Sequence, residues 1–114
     1  MAKALEESAA AHKFGVLTVH DLQQTLQKKG VEMDREVRIF EVCNPHQAKR
    51  ALDADPRVST ALPCRISVYA SEGGLTLATI LPTELMKGFE SEEMAQTARE
   101  VEDVIVKMMG EAAG

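Results

Sequence analysis

The stretch "VRIFEVCNPHQAKRAL" (residues 37–52) decides the fold, because it runs from a strand directly into a helix. Apolar and polar residues alternate over 37–43, which predicts a strand that ends at Cys43. Asn44 is a favoured helix N-cap, and Pro45 suits the first helical turn because no backbone N–H is needed there. We therefore predict a strand, a one-residue junction and a helix over the rest of the stretch.

Two other stretches carry strand patterns. The first, "GVLTVHDL" (15–22), alternates so that Val16, Thr18 and His20 are predicted to share one face. The second, "CRISVYASEGGLTLATIL" (64–81), predicts a β-hairpin, because two strand-like runs flank a turn with two glycines. Together with the stretch above, these patterns give about four strands.

Helices are predicted before, between and after the strands. Residues 2–13 are alanine-rich without a helix breaker, and Asp21 caps a short helix that ends at Gly30. Ser91 caps a long last helix, which is predicted to end before Gly110. Its apolar stripe consists of Met94, Ala98, Val101, Ile105 and Met108. Because these residues recur at helical spacing, the stripe is predicted to be core or a dimer interface.

The order of these elements predicts an α+β fold. Helices alternate with strands until a hairpin closes the sheet. We expect a mixed, largely antiparallel sheet of about four strands, covered by helices that include a long C-terminal amphipathic helix. The 114 residues match one domain of the commonest size, so residues 1–114 are predicted to form a single domain.

Composition argues against several classes of function. The formal net charge is −5, and no basic stripe or set of aromatic platforms is present, which argues against a nucleic-acid partner. No apolar run reaches the length of about 18 residues that a membrane-spanning helix needs. The N-terminal residues lack the apolar centre of a secretory signal. The two cysteines fit a reducing compartment, so a cytoplasmic location is expected.

Thiol chemistry is the clearest candidate function. Cys43 directly precedes a predicted helix N-terminus, where unpaired amides and the helix dipole lower a thiol pKa and favour metal binding. His46 is predicted in the first turn of that helix, within reach of the same place. A second cysteine, Cys64, begins the hairpin after Pro63.

Whether the two thiols meet depends on strand direction. If the strand over 37–43 and the first hairpin strand are antiparallel, Cys43 and Cys64 lie at the same end of the sheet. If the strands are parallel, as a simple crossover would demand, the thiols lie at opposite ends. The loop over 55–63 can span a sheet at about 3.3 Å per extended residue, which favours the antiparallel arrangement.

Each of these candidate site residues also has a purely structural interpretation. A cysteine at a strand end is most often a small buried hydrophobe, and a histidine in a first helical turn is most often a surface residue. Two cysteines and a histidine without C-x-x-C spacing form a weak metal-binding pattern. The sequence contains none of the common nucleophile, zinc-protease or nucleotide-binding motifs. We therefore predict no catalytic residue and do not favour an enzyme.

The stretches "FGVLT", "TLQKKG", "CNPHQAKRAL" and "LPCRISVY" together resemble the bacterial and archaeal domain-of-unknown-function family 302. The resemblance covers about residues 3–110. It implies a fold similar to the TATA-binding-protein-like class, often as a homodimer, but it implies no biochemical role. The segments Cys43-Asn44-Pro45 and Pro63-Cys64 match the most recognisable motifs of the family. The resemblance also implies a strand before the first helix, and its absence would expose a sheet edge that dimerisation could cover.

Two classes of function follow from these observations. The first is a dimeric binding module for a small ligand or a soft metal ion such as Cu(I) or Zn(II), with a disulfide as its redox variant. Its predicted ligand-binding residues are Cys43, Asn44, Pro45, His46, Pro63 and Cys64, of which Cys43, Cys64 and His46 would hold the metal. The alternative is a purely structural homodimer formed through the apolar stripe and an open sheet edge. An enzyme with Cys43 as its nucleophile is the third and least favoured hypothesis.

Overall fold

The computed structural model describes residues 2–89 and 91–114, and it contains one four-stranded antiparallel sheet. The strands are β1 (Gly15–Asp21), β2 (Val37–Cys43), β3 (Cys64–Ser71) and β4 (Gly74–Ala78), in that order across the sheet. The helices are α1 (Ala2–Ala11), α2 (Leu22–Lys28), α3 (Pro45–Ala54), α4 (Pro82–Leu85) and α5 (Glu92–Ala113), with a 3₁₀ turn at Pro56–Thr60. The predicted α+β fold is confirmed, and all three strand pairings are antiparallel.

The main core lies between one face of the sheet and the helices α1 and α5. Alternate residues of β2 and β3 point toward these helices, as the period of a strand requires. The largest fully buried side chains of this core are Leu5, Phe40, Val42, Ile66, Ile105 and Met108.

A second, smaller core lies beside it, between α3, the 3₁₀ turn, α4 and the N-terminal half of α5. Its buried residues are Ala51, Val58, Met86, Met94 and Ala98. Leu62 packs against both cores. The segment that leads into β3 therefore lies where the two cores meet.

A β-bulge in β1 overturns the simple alternation predicted for that strand. Val16 pairs with Val42, but the next pairing joins Thr18 to Glu41, so Leu17 is the extra residue. Paired residues share a face of the sheet, so Val16 points toward the core while Thr18 points away from it. The prediction that Val16, Thr18 and His20 share one face is therefore wrong.

The last helix follows its predicted pattern but continues further. Ser91 caps it, since the Ser91 hydroxyl accepts a hydrogen bond from the backbone N–H of Met94 at 3.3 Å. The apolar stripe packs into the cores of its own chain, which leaves it unavailable to a second copy. The predicted end before Gly110 is wrong, because α5 runs through Gly110 to Ala113. A single glycine disfavours a helix by only about 1 kcal/mol, and buried side chains on both sides of Gly110 hold this turn in place.

Within residues 2–89 and 91–114, no helix is both long enough and apolar enough to span a bilayer.

Candidate functional site

The antiparallel pairing of β2 with β3 brings the two cysteines to the same end of the sheet. Cys64, the first residue of β3, pairs with Val42, so Cys43 is its diagonal neighbour. This is the arrangement that the length of the preceding loop favours. Cys43 is half-buried and Cys64 is buried, and both are free thiols.

Both thiols line a pocket that extends from the sheet end to α5, which we call the Cys43–Cys64 pocket. Its walls come from the sheet end, the segment before β3, α3, α4 and α5. Its apolar lining residues include Phe14, Ala51, Leu62, Met86, Met94 and Val101. The centre of a water-sized sphere can reach about 30 Å³ inside it. One water needs roughly 10–15 Å³ by this measure, so the pocket admits only a small group unless its walls move.

Among the described residues, the two cysteines are the only ones with an ionisable side chain in the pocket lining. Its polar members are Asn44, Gln47 and Thr97. Gln47 is already engaged, since its amide nitrogen donates to Glu100 at 3.3 Å and its oxygen accepts from Arg50 at 3.1 Å. The pocket is therefore an uncharged environment that disfavours any ionised group.

The start of α3 does not activate Cys43 as its position in the sequence predicted. Asn44 Oδ1 accepts hydrogen bonds from the backbone N–H groups of His46 at 3.0 Å and Gln47 at 3.2 Å. Pro45 has no N–H to offer. The free donors of the first turn are therefore used by the cap, and none of them is left for a thiolate.

The acidity of both thiols follows from this environment. Burial raises the pKa of Cys43. Burial, with a smaller contribution from the charge of Cys43, raises the pKa of Cys64 from 9.0 to about 11. The prediction that the helix N-terminus lowers the pKa of Cys43 is therefore wrong, and both thiols are protonated near pH 7.

The remaining predicted site residues divide into two groups. Asn44 and Pro63 line the pocket together with the thiols. Pro45 and His46 are exposed and do not line it. Across the described parts of the chain, no group of three His, Cys, Asp or Glu side chains is arranged to hold a metal ion.

Thr97 is a pocket residue that the sequence analysis missed. It is only 4% exposed, and its Oγ1 has no hydrogen-bond partner among the described residues. Buried hydroxyls are normally paired, so this one stands out. Thr97 lies three residues after Met94 and four before Val101, on the face of the apolar stripe. That spacing is the signal that could have identified it.

Two contacts from α5 hold the neighbouring helices around the pocket. Glu102 Oε1 accepts from the backbone N–H of Thr83 at 3.1 Å and from its hydroxyl at 2.6 Å. Glu100 accepts from Arg50 at 2.8 Å. These contacts attach α4 and α3 to α5, so α5 positions both of the helices that form the pocket walls.

Comparison with known proteins gives the family of the chain. The family model described as "Domain of unknown function DUF302" matches residues 1–112. A crystal structure of an uncharacterised conserved DUF302 protein from Bacillus stearothermophilus is similar to the chain at 30% identity, with a TM-score of 0.92. That similarity covers 97% of this chain and 87% of the Bacillus chain. No curated protein matches the sequence. The chain therefore belongs to the DUF302 family.

Proposed function

We propose that this domain binds a small, uncharged and largely apolar ligand in the Cys43–Cys64 pocket. The observation that carries the proposal is that two free cysteines, Cys43 and Cys64, and Thr97, whose buried hydroxyl has no partner among the described residues, all line one mostly apolar cavity. Ligand sites typically combine such apolar walls with a few polar groups that fix orientation.

The composition of the walls supports binding of more than one ligand shape. Met86 and Met94 both line the pocket, on the turn after α4 and on α5. Methionine side chains are unbranched and adapt to irregular volumes. Movement of these two side chains would enlarge the small cavity without moving the sheet.

The thiols suit binding better than catalysis. A cysteine nucleophile acts as the thiolate, which a raised pKa makes scarce at neutral pH. The part of the chain that the structure describes places no histidine or carboxylate in the pocket lining that could take the proton. We therefore assign the thiols a contact role, as weakly polar walls of the site.

A soft metal ion is the second candidate, and the pair of neighbouring thiols favours it. Cu(I) prefers thiolate ligands, so Cys43 and Cys64 together would offer it two. Binding must release both thiol protons, and the raised pKa values oppose that release near pH 7. We expect affinity for Cu(I) to increase with pH and to be lost in Cys43→Ser.

The predicted homodimer remains a prediction. With the apolar stripe inside the chain, the open sheet edges at β1 and β4 are the predicted contact that a second copy could still use. Sedimentation over a wide concentration range tests it, and a single monomeric species throughout would argue against the dimer.

A titration with cyclopentanone, a small neutral molecule, tests ligand binding directly. We expect saturable shifts in the methyl NMR signals of Met86, Met94 and Val101, and slower alkylation of Cys43. Val101→Phe fills the pocket and should abolish these shifts. Val106→Phe is the matched control, because Val106 lies on the exposed side of the same helix. Equal shifts in both variants, or none in the wild type, would refute the proposal.

A further inference from the structure

We propose that Thr97 is the specificity-determining residue of the Cys43–Cys64 pocket, and that the pocket selects neutral molecules carrying one hydrogen-bond acceptor, such as a carbonyl oxygen, on an apolar body. This inference rests on the proposed function and names the chemical class of the ligand. It begins from the Thr97 hydroxyl, which is buried in the wall and has no hydrogen-bond partner in the part of the chain that the structure describes.

The position of Thr97 in α5 makes its hydroxyl unusual. Threonine in a helix interior commonly bonds to a carbonyl of the preceding turn, but Thr97 makes no such bond. A buried polar group without a partner disfavours the fold, so valine would be the more stable choice at this position. A polar group that weakens the fold is typical of a functional site.

The polarity required of the ligand follows from the groups around the cavity. A hydroxyl donates one hydrogen bond, and a protonated thiol is a weak donor. Thr97, Cys43 and Cys64, which all line the pocket, therefore carry three donors, of which the Thr97 hydroxyl lies inside the wall and must turn toward the cavity to meet a ligand. A ligand acceptor would pair with these hydrogens, whereas a ligand with only donor groups would leave all three of them unpaired.

The charge of the ligand is limited by the same walls. Within residues 2–89 and 91–114, no Asp, Glu, Lys, Arg or His lines the pocket. An ionised ligand would lose its hydration without gaining a counter-charge, which is strongly unfavourable. Carboxylates, phosphates and amines are therefore poor candidates, whereas ketones, esters and ethers fit the lining.

The size of the ligand is limited by the cavity. About 30 Å³ is open to the centre of a water-sized sphere, so either a small molecule or the end of an apolar chain fits. Larger bodies require Met86 and Met94 to move aside. We therefore choose two probes with the same number of heavy atoms, cyclopentanone and methylcyclopentane, which differ in their acceptor oxygen.

The experiment compares the binding of these two probes to the wild type, Thr97→Val and Thr97→Ser by methyl NMR titration. Thr97→Val should weaken cyclopentanone binding about five- to tenfold and leave methylcyclopentane binding unchanged. Thr97→Ser keeps the hydroxyl and should retain most of the affinity for cyclopentanone. In the absence of ligand, Thr97→Val should raise Tm by roughly 3–6 °C, because it removes the unpaired hydroxyl.

The outcomes separate the two proposals. If Thr97→Val changes the binding of both probes equally, or of neither, the selectivity inference is overturned while the pocket remains a binding site. An unchanged or lower Tm would mean that the hydroxyl has a partner in the free protein, such as a bound water, and would also overturn the inference. If the wild type binds neither probe, the proposed function itself fails.

Discussion

Asn44 occupies the backbone donors at the start of α3, so a thiolate at the preceding residue, Cys43, would have to compete with it for them. The Asn44 side chain takes the N–H groups of His46 and Gln47, which a neighbouring thiolate would otherwise use. With Asn44 as the cap, the start of α3 offers no free N–H group to a thiolate at Cys43.

Replacing the cap tests this competition. Asn44→Gly removes the competing oxygen at a stability cost of only a few tenths of a kcal/mol. We therefore expect the pKa of Cys43 to fall in this variant, which should be visible as faster alkylation by iodoacetamide near pH 7. Asn44→Asp is the matched control, because it keeps a capping oxygen and should not accelerate the reaction. If Asn44→Gly has the same pH–rate profile as the wild type, the cap is not what keeps Cys43 inactive.

The buried thiol of Cys64 predicts a loss of stability at high pH. Its pKa is about 11 in the folded chain against an ordinary value of 9.0. The folded state therefore favours the protonated form. The resulting stability is fully present below about pH 9 and is lost as the pH rises toward 11. The two-unit shift corresponds to about 2–3 kcal/mol.

Urea unfolding at a series of pH values between 8 and 11 measures this effect. Cys64→Ala is the comparison, since it retains every other titrating group. We expect the unfolding free energy of the wild type to fall more steeply than that of the variant above pH 9. Parallel curves would show that Cys64 ionises normally in the folded protein.

Replacing glycine by alanine should have opposite effects on stability at Gly110 and Gly30. Gly110 lies in the interior of α5, and a Cβ added there meets no atom within 4 Å. Gly30 follows α2 with a φ of +81°, which a side chain rarely adopts. Gly110→Ala should therefore stabilise the chain by about 0.5–1 kcal/mol, and Gly30→Ala should destabilise it by a similar amount. Thermal unfolding of both variants checks the pair, and a shift in the same direction for both would contradict it.

The short helix α4 depends on α5 for its start. Its N-cap, Leu81, makes no side-chain capping bond, and Glu102 from α5 accepts from Thr83 instead. Glu102→Ala should cost about 1 kcal/mol and should loosen Met86, which lines the pocket. Asp103→Ala removes an exposed carboxylate one residue away and should have little effect. Urea unfolding and the methyl signal of Met86 report the two consequences, and equal effects of both substitutions would argue against this capping role.

At the scale of the whole molecule, local patterns in the sequence predicted the elements and their order. The alternation before Cys43, the Asn44 cap and the spacing of the apolar stripe each depend on neighbouring residues. The shared end of Cys43 and Cys64 followed from the length of one loop. The bulge at Leu17 and the unpaired hydroxyl of Thr97 were not predicted, because both depend on partners that are distant in the sequence.

The ends of the chain are joined by a cluster between α1 and α5. The Ser8 hydroxyl donates to Glu111 at 2.8 Å, and His12 Nε2 lies 2.9 Å from the other oxygen of the same carboxylate. These hydrogen bonds hold the pKa of Glu111 below its ordinary value, and the bond to His12 contributes most. The cluster therefore stabilises the folded chain at pH values above the ordinary pKa of a glutamate side chain. This contribution is lost as the pH falls through the lowered pKa of Glu111.

Because none of the three side chains of this cluster lines the Cys43–Cys64 pocket, we expect α1 to open separately from the pocket and the central strands. Glu111→Gln should speed hydrogen exchange in α1 severalfold while leaving β2 and β3 protected, since the strands lie at the centre of the sheet. Asp103→Asn, an exposed change on the same helix, is the control. A pocket ligand should slow exchange near Cys43 without protecting α1. If Glu111→Gln speeds exchange equally in α1 and the central strands, the chain opens as one unit and α1 is not a separate part.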